Sequence, residues 1–491
     1  MPNLPPQPKR SGRARFYHEV QLRGPVPQSL LFSPSAHTGP YPALAGEAAK
    51  WAASGSAIPP AEDSVTLLHG FDWLGPLVTA AKAGEDHLAA TVGQWFHYYG
   101  TYEQTAWHPY LVARRSIALL RHIEDLFVRM DNPGRAAVLD HLARSARHLA
   151  RRTGYARGRR RNVTIASART LLSLCLPPER LIGQPGETGL AEALKPLTEG
   201  TLPFGWRSHT SLLDTGYTLL TVKESFRGRR LSPPGALDDS LKTIRLLAGA
   251  LLETTGGLRL PGQSAPSPSL LSALSPSDHS AADRLLTDLG MGRVTAGTVK
   301  VLLDGGNHED EETAIPGALS ISADGQPLIV NCGAPSPIAA AFARRLRPWR
   351  EALLAQAAGS TLSDLPIEGT PSLIRPDPLT LLFDHKGRTA RHARRIVLSP
   401  DGHDISGDDA IEAPASGTLR FHLAPEARVD REEDSLLIRI GRERWRFSGP
   451  STIEIEESVS AWIDGTIVDS KQIVVPLFPG HPVQWTLGRD R

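Results

Sequence analysis

The chain is 491 residues long, with hydrophobic residues at 40%, charged residues at 22% and a formal net charge of +2. That length exceeds one ordinary core and predicts two domains, while so balanced a charge excludes capture of an anionic partner by overall field and leaves only local basic patches. No run reaches the roughly 18 apolar residues of a membrane span, and Met1-Pro-Asn-Leu-Pro-Pro-Gln-Pro-Lys-Arg10 lacks the apolar core of a secretion signal, so the expected compartment is the cytoplasm.

Residues 1–40 are Pro-rich and aperiodic and read as an extended arm. From about Ala43 to Thr255 the pattern is helical. One helix is expected over Leu111–Met130. A second should start at Asn132-Pro133, with Asn as cap and Pro at the first helical position, and bury Leu139, Leu142, Ala146 and Leu149 on one face. Between helices lies Arg151-Arg-Thr-Gly-Tyr-Ala-Arg-Gly-Arg-Arg-Arg161. Guanidinium pairs with carboxylate or sulfate bidentately, so this run suits an acidic polymer. It would also suit nucleic acid or an anionic membrane surface, or stand as a solvated basic loop. The near-neutral total charge and the lack of a nucleic-acid motif count against nucleic acid. Asp239 is the expected cap of a further helix with Leu241, Ile244, Ala248 and Leu251 on one face, ended by Gly256-Gly257. Helix pairs over some 250 residues suit a helical barrel or solenoid, and no fixed-period repeat is present.

The pattern changes after the Pro/Ser-rich stretch 261–277. One short helix is expected over Ala281–Leu289. Strands follow at Thr298–Leu303, Leu328–Cys332, Leu379–Asp384, Arg394–Ser399, Thr418–Leu423, Ser435–Ile440, Arg444–Phe447, Thr452–Glu456, Ile473–Phe478 and Val483–Leu487. Alternation in Thr418–Leu423 puts Leu419, Phe421 and Leu423 inward and Arg420 and His422 outward, the pattern of a β-sandwich. Cys175 and Cys332 are too few for a disulfide framework, lack metal-ligand spacing and read as buried free thiols. His308, in Asn307-His-Glu-Asp-Glu-Glu312, belongs to a solvated acidic loop or to carboxylates around a metal, and the spacing fits no standard metal motif.

Several strings, in this order, resemble the heparinase II/III-like family in its alphaproteobacterial, polysaccharide-lyase-like form. They are Leu68-His-Gly-Phe-Asp-Trp-Leu74, Trp107-His-Pro-Tyr-Leu-Val-Ala-Arg-Arg115, Ala146-Arg-His-Leu-Ala-Arg151, Pro327-Leu-Ile-Val-Asn-Cys-Gly333, Trp349-Arg-Glu-Ala, Ala358-Gly-Ser-Thr-Leu362 and Phe421-His-Leu-Ala-Pro425. The resemblance runs from about residue 20 to the end. It implies an arm over 1–40, a helical (α/α) toroid over 41–290 and an antiparallel β-sandwich over 291–491.

The activity so implied is β-elimination on an acidic, uronate-containing, glycosaminoglycan-like polysaccharide. A cation must neutralise the sugar carboxylate, a base removes the adjacent proton, and an acid protonates the leaving oxygen. A Tyr acting as base needs cationic neighbours to lower a pKa near ~10. The first catalytic stretch corresponds to Phe204-Gly-Trp-Arg-Ser-His-Thr-Ser-Leu-Leu-Asp-Thr-Gly-Tyr217. There Tyr217 is the candidate base or acid, and Arg207 and His209 are candidates for the carboxylate. Tyr217 packed on the next helix, with His209 a mere turn residue, is the structural alternative. If the helix starts at Thr210, Asp214 and Tyr217 lie within one turn of each other. Substrate contacts are expected from Arg157, Arg159, Arg160, Arg161, His308 and Asn331. Two positions depart from the family: Ile315 and Gly359 stand where relatives carry imidazoles, in Ile315-Pro316-Gly317 and Ala358-Gly-Ser-Thr361. Both favour a second reading, a degenerate glycan-binding or polysaccharide-assembly factor of the same fold. No cofactor is expected, a structural metal being left open, and a substrate of this kind implies the periplasm or cell envelope as the other compartment.

Overall fold

The computed structural model describes residues 12–34, 50, 52–53, 65–151, 159–178, 187–199, 209–255, 280–305, 316–332, 360–365, 367–461 and 467–490. Among these residues every helix precedes every strand. The helices are α1 (Gly12–Leu22), α2 (Val65–Gly70), α3 (Leu74–Lys82), α4 (Leu88–Tyr99), α5 (Pro109–Arg121), α6 (Ile123–Arg129) and α7 (Asn132–Arg151). After them come α8 (Arg159–Cys175), α9 (Glu187–Thr198), α10 (His209–Gly228), α11 (Gly235–Thr255) and α12 (Ser280–Asp288). The chain divides into two compact units, one drawn from 1–199 and 213–243, the other from 200–212, 244–336 and 345–491.

In the first unit α5 and α8 pack along each other, with α7 against both. Val138, Leu139, Leu142, Ala143, Ala146 and Leu149 form the buried face of α7, each large one contributing about 1.5–3 kcal/mol. The expected single helix over Leu111–Met130 is two, because His122 leaves helical geometry at φ −112° and ψ 16°. The cap of α7 is Asp131, whose Oδ1 accepts from the Gly134 amide at 2.8 Å, rather than Asn132. Asp239 is no cap, since α11 begins at Gly235.

Within the expected arm, 12–22 is helical, and 23–34 forms a strap over three helices. The fully buried Arg147 of α7 donates through Nη1 to Leu22 O at 3.1 Å and through Nη2 to Pro25 O. The Leu31 amide donates to Cys175 O at the end of α8 at 2.7 Å. At the end of α10, an added Cβ on Gly228 would fall 2.0 Å from Cε2 of Phe32, so the strap seats only on a bare glycine.

The second unit holds sixteen strands among the described residues. They are β1 (Met291–Ala296), β2 (Val299–Asp304), β3 (Leu319–Ala323), β4 (Gln326–Val330), β5 (Leu362–Ser363), β6 (Gly369–Asp377), β7 (Thr380–Gly387) and β8 (Arg391–Leu398). The rest are β9 (Asp404–Glu412), β10 (Gly417–Leu423), β11 (Arg428–Glu432), β12 (Ser435–Ile440), β13 (Glu443–Ser448), β14 (Glu454–Ala461), β15 (Ile467–Leu477) and β16 (Val483–Arg489). One sheet runs β1-β2-β3-β4-β10-β15-β14, with β5 also on β10, and the other β11-β12-β13-β16-β9-β8-β7-β6. Their apolar faces share one core, in which Phe421 and Phe447 pack on Trp485.

Ten strands were expected. The edge strands β6 and β11 escape the alternation rule because they are polar and mostly exposed, β6 carrying Pro371 and Pro376. The larger correction concerns His422, which is buried at 1% exposure rather than outward. Alternation assigned it correctly to the face opposite the core. That face of the first sheet is also buried, and it is polar: Ser320, Ser322, Ser458, Ser460, Ser470 and Gln472 all lie on it below 9% exposure. Both thiols are buried and neither is in a disulfide, as expected.

Candidate functional site

In the helical unit, the Leu68–Leu74 and Trp107–Arg115 strings fold onto each other through two adjacent arginines of α5 that face opposite ways. Arg115 points inward. It is fully buried over the Trp95 ring at 4.4 Å, donating to His69 O at 2.7 Å, Ala106 O at 3.1 Å and His141 Nε2 at 2.9 Å. His141 must be neutral with its proton on Nδ1 to accept that bond. Burial, then Arg115 and Arg144, hold it well below the usual imidazole range. Burial and Arg115 likewise depress His69 to about 3.

Arg114 points the other way, into a cluster of charge. It donates to Asp72 through Nε at 3.1 Å and Nη2 at 2.6 Å, and through Nη1 to Asp214 Oδ2 at 3.2 Å and Tyr110 Oη at 3.3 Å. Asp72 follows Phe71, a buried residue held at φ +63°. Such backbone costs on the order of 1 kcal/mol and persists only where packing fixes it. Two turns along α5, Arg121 reaches α10 instead, donating through Nε to Thr221 Oγ1 at 3.2 Å and through Nη2 to Thr218 Oγ1 at 2.9 Å. Its Nη1 is 3.9 Å from Asp214 Oδ1. Arg161, in the first turn of α8, lies over the Tyr110 ring, 5.4 Å from its centroid.

Tyr217 belongs to this cluster. It is half-buried on α10, one turn from Asp214 and within the field of Arg121. Burial raises its phenol above the ordinary value, and Arg121 offsets only part of that rise. A lowered phenol, needed for a tyrosine base, is not what this environment produces.

In the sandwich unit, three strings distant in sequence meet. Asn331 is fully buried: Oδ1 accepts from the Ser360 amide at 2.8 Å and Nδ2 donates to Ser320 Oγ at 2.9 Å. Ser360 Oγ donates to Val330 O at 2.6 Å and accepts from the His422 amide at 2.8 Å. His422 Nδ1 lies 2.9 Å from Ser458 Oγ and 3.1 Å from Cys332 Sγ. Arg394, fully buried, donates through Nη1 to Gly317 O at 2.7 Å and Ser360 O at 3.1 Å. One guanidinium thus ties the two turns that adjoin Ile315 and Gly359. Gly317 sits at φ +75°, and a Cβ there would be 2.8 Å from Phe383, so only glycine fits.

Of the other sequence candidates, Arg157, Arg207, His308, Ile315 and Gly359 lie outside the described residues. Arg159, Arg160 and His209 are placed only as helical positions; Arg159–Arg161 open α8 rather than forming a connection. Among the described residues no group of three or more His, Cys, Asp or Glu side chains is placed to hold a metal, and no helix is long and apolar enough to cross a membrane. Asp72, Tyr110, Arg114 and Arg121 were not singled out from sequence. All but Arg121 lay inside quoted strings, and the seven-residue spacing of Arg114 and Arg121, two turns of one helix, was the available signal.

A helical unit of α/α-toroid type followed by an antiparallel β-sandwich is the fold of the heparinase-like structures that this chain resembles. Residues 381–481 match the heparinase II/III-like C-terminal family, and the resemblance drawn from the strings stands. The chain is similar to a heparinase III (12% identity over 86% of this chain and 76% of that one, TM-score 0.56). It is also similar to the heparan sulfate lyase of Pedobacter heparinus (13%, 86% and 76%, TM-score 0.51) and to a second heparinase III (12%, 90% and 84%, TM-score 0.53). No curated protein matches the chain.

Proposed function

We propose that this protein cleaves an acidic, uronate-bearing polysaccharide by β-elimination, with Tyr217 as the proton donor to the leaving glycosidic oxygen. The observation that carries the reading is the place of the half-buried Tyr217 on α10, one turn from Asp214, whose carboxylate faces the guanidiniums of Arg114 and Arg121 on α5. A group that must give up a proton in the transition state is best held in its protonated form at the working pH. In the reaction the C5 proton leaves, the C4–O bond breaks, a C4–C5 double bond forms, and the phenol proton passes to the departing oxygen. A cation on the sugar carboxylate makes the C5 proton acidic enough to remove, the role given from sequence to Arg207 and His209. The C5 proton needs an acceptor, for which His308 is the imidazole that the sequence offers. The scheme uses no cofactor.

The test is ultraviolet absorbance of the unsaturated uronate product across heparan sulfate, chondroitin, hyaluronan and alginate. One polymer should give product, and Tyr217→Phe should lower the rate by about a hundredfold or more. If every polymer stays intact while one binds, the degenerate glycan-binding reading replaces this one. Ile315 and Gly359, at positions where relatives keep imidazoles, favour that outcome.

A further inference from the structure

Arg114 and Arg121 share one helix and face the same carboxylate of Asp214, yet their donors are spent differently. Arg114 gives three nitrogens to Asp72, Asp214 and Tyr110. Burial opposes its charge, but Asp72, Tyr110 and Asp214 outweigh that and hold it well above the ordinary value. Arg121 has two nitrogens fixed by neutral hydroxyls, Thr218 and Thr221. Its third, Nη1, faces Asp214 Oδ1 at 3.9 Å, too long for a hydrogen bond. Burial lowers its pKa, Asp214 offsets part of that, and Arg114 adds to it. One guanidinium is saturated, and the other is oriented by hydroxyls with a single long ion pair to a carboxylate that Arg114 shares. Two threonines at one-turn spacing hold the plane of Arg121 still, which removes part of the entropy cost of a bidentate bond.

We propose that Arg121 is a further residue that recognises the carboxylate of an acidic sugar, with Thr218 and Thr221 as its positioning residues and Arg114 as structural. This rests on the acidic-polysaccharide part of the function proposed above. The anionic group would pair with Nη1 of Arg121, whose charge also acts on the Tyr217 phenol.

The test measures binding of the full-length protein, by calorimetry, to heparan sulfate and alginate, each native and carboxyl-reduced. The wild type should prefer the native form of at least one polymer by roughly tenfold to a hundredfold. Arg121→Gln should bring that ratio to about one with the thermal midpoint held, and Arg121→Lys should restore part of it. If Arg121→Gln does not fold, the ratio for Arg121→Lys decides: a fall supports the proposal, and an unchanged ratio overturns it. A wild type with no carboxylate preference, or a folded Arg121→Gln with the wild-type ratio, also overturns it. Absence of cleavage in a chain that still binds ends the elimination reading alone, so the two failures are distinguishable.

Discussion

Each unit buries an arginine, and the two solve the same problem by different means. Arg394 in the sandwich meets a carboxylate: Nε donates to Asp409 Oδ1 at 2.7 Å, while His392 Nε2 donates to the same oxygen at 2.8 Å and Trp485 Nε1 to Oδ2 at 2.9 Å. Arg115 in the helical unit meets two carbonyls, a neutral imidazole and aromatic faces, with no carboxylate among its hydrogen-bond partners in the described residues. Each keeps an Nη2 without a hydrogen-bond partner. The difference follows from the elements. Neighbouring strands bring Arg394 and Asp409 opposite each other in register. A helix buried against aromatic residues instead offers its arginine the carbonyls exposed at helix ends and turns. A buried ion pair depends on both its members, whereas a cation held by carbonyls and rings leaves no countercharge behind when it is removed.

The largest expected effect comes from breaking the pair. Asp409→Asn keeps the shape, leaves Arg394 without countercharge, and should cost about 3–5 kcal/mol. Denaturant midpoints check this, and a loss of under about 1 kcal/mol would show that the pair is not what holds the two turns.

Acid should separate the units next. His69, His122 and His141 are buried with folded-state pKa values below their unfolded value near ~6.5, His69 at about 3 and His122 at about 4. Below that unfolded value, unfolded imidazoles bind protons that the native ones refuse, so stability is full above it and falls as pH drops. The slope is at most about 1.4 kcal/mol per pH unit per histidine, ending at each folded pKa. In the sandwich the Asp409 carboxylate is opposed by burial but held well below the usual range by Arg394 and His392, so its contribution survives until far lower pH. His392, lowered by burial against the pull of Asp409, and His385, also lowered by burial, add two acid-sensitive groups there. Helical circular dichroism should therefore melt at lower temperature near pH 5 than near pH 7, and His141→Gln should flatten that dependence. An unchanged slope in His141→Gln would remove His141 from this account.

The smallest effect should be Arg115→Met, which fills similar volume and leaves only His141 and two carbonyls short of a donor. It should cost about 1–3 kcal/mol, less than Asp409→Asn. A greater cost would mean that carbonyls and rings hold a buried cation more tightly than a carboxylate does.

Much of the fold was legible because the periodicities were clean. Leu419, Phe421 and Leu423 point into the sandwich core, and Leu139, Leu142, Ala146 and Leu149 into the helical one. Alternation identifies the two faces of a strand but not whether the second is covered, and so His422 was misplaced. Arg394 and His392 are buried because Asp409 supplies the charge from the next strand. No local pattern carries that pairing. Tyr217 was found through its string, whereas Arg121 acquires meaning only when α5 lies against Thr218 and Thr221.

The strap over 23–34 has a consequence for how the chain is made. Its contacts are with Arg147, Cys175 and Gly228, all synthesised long after it. Phe32 has no seat until α10 has emerged and folded, so the strap, made before the helices it covers, docks only after them. High sequence separation slows such closure. During that interval the strap and the surface it covers are both exposed, and refolding that begins from the C-terminal helices would be spared the wait.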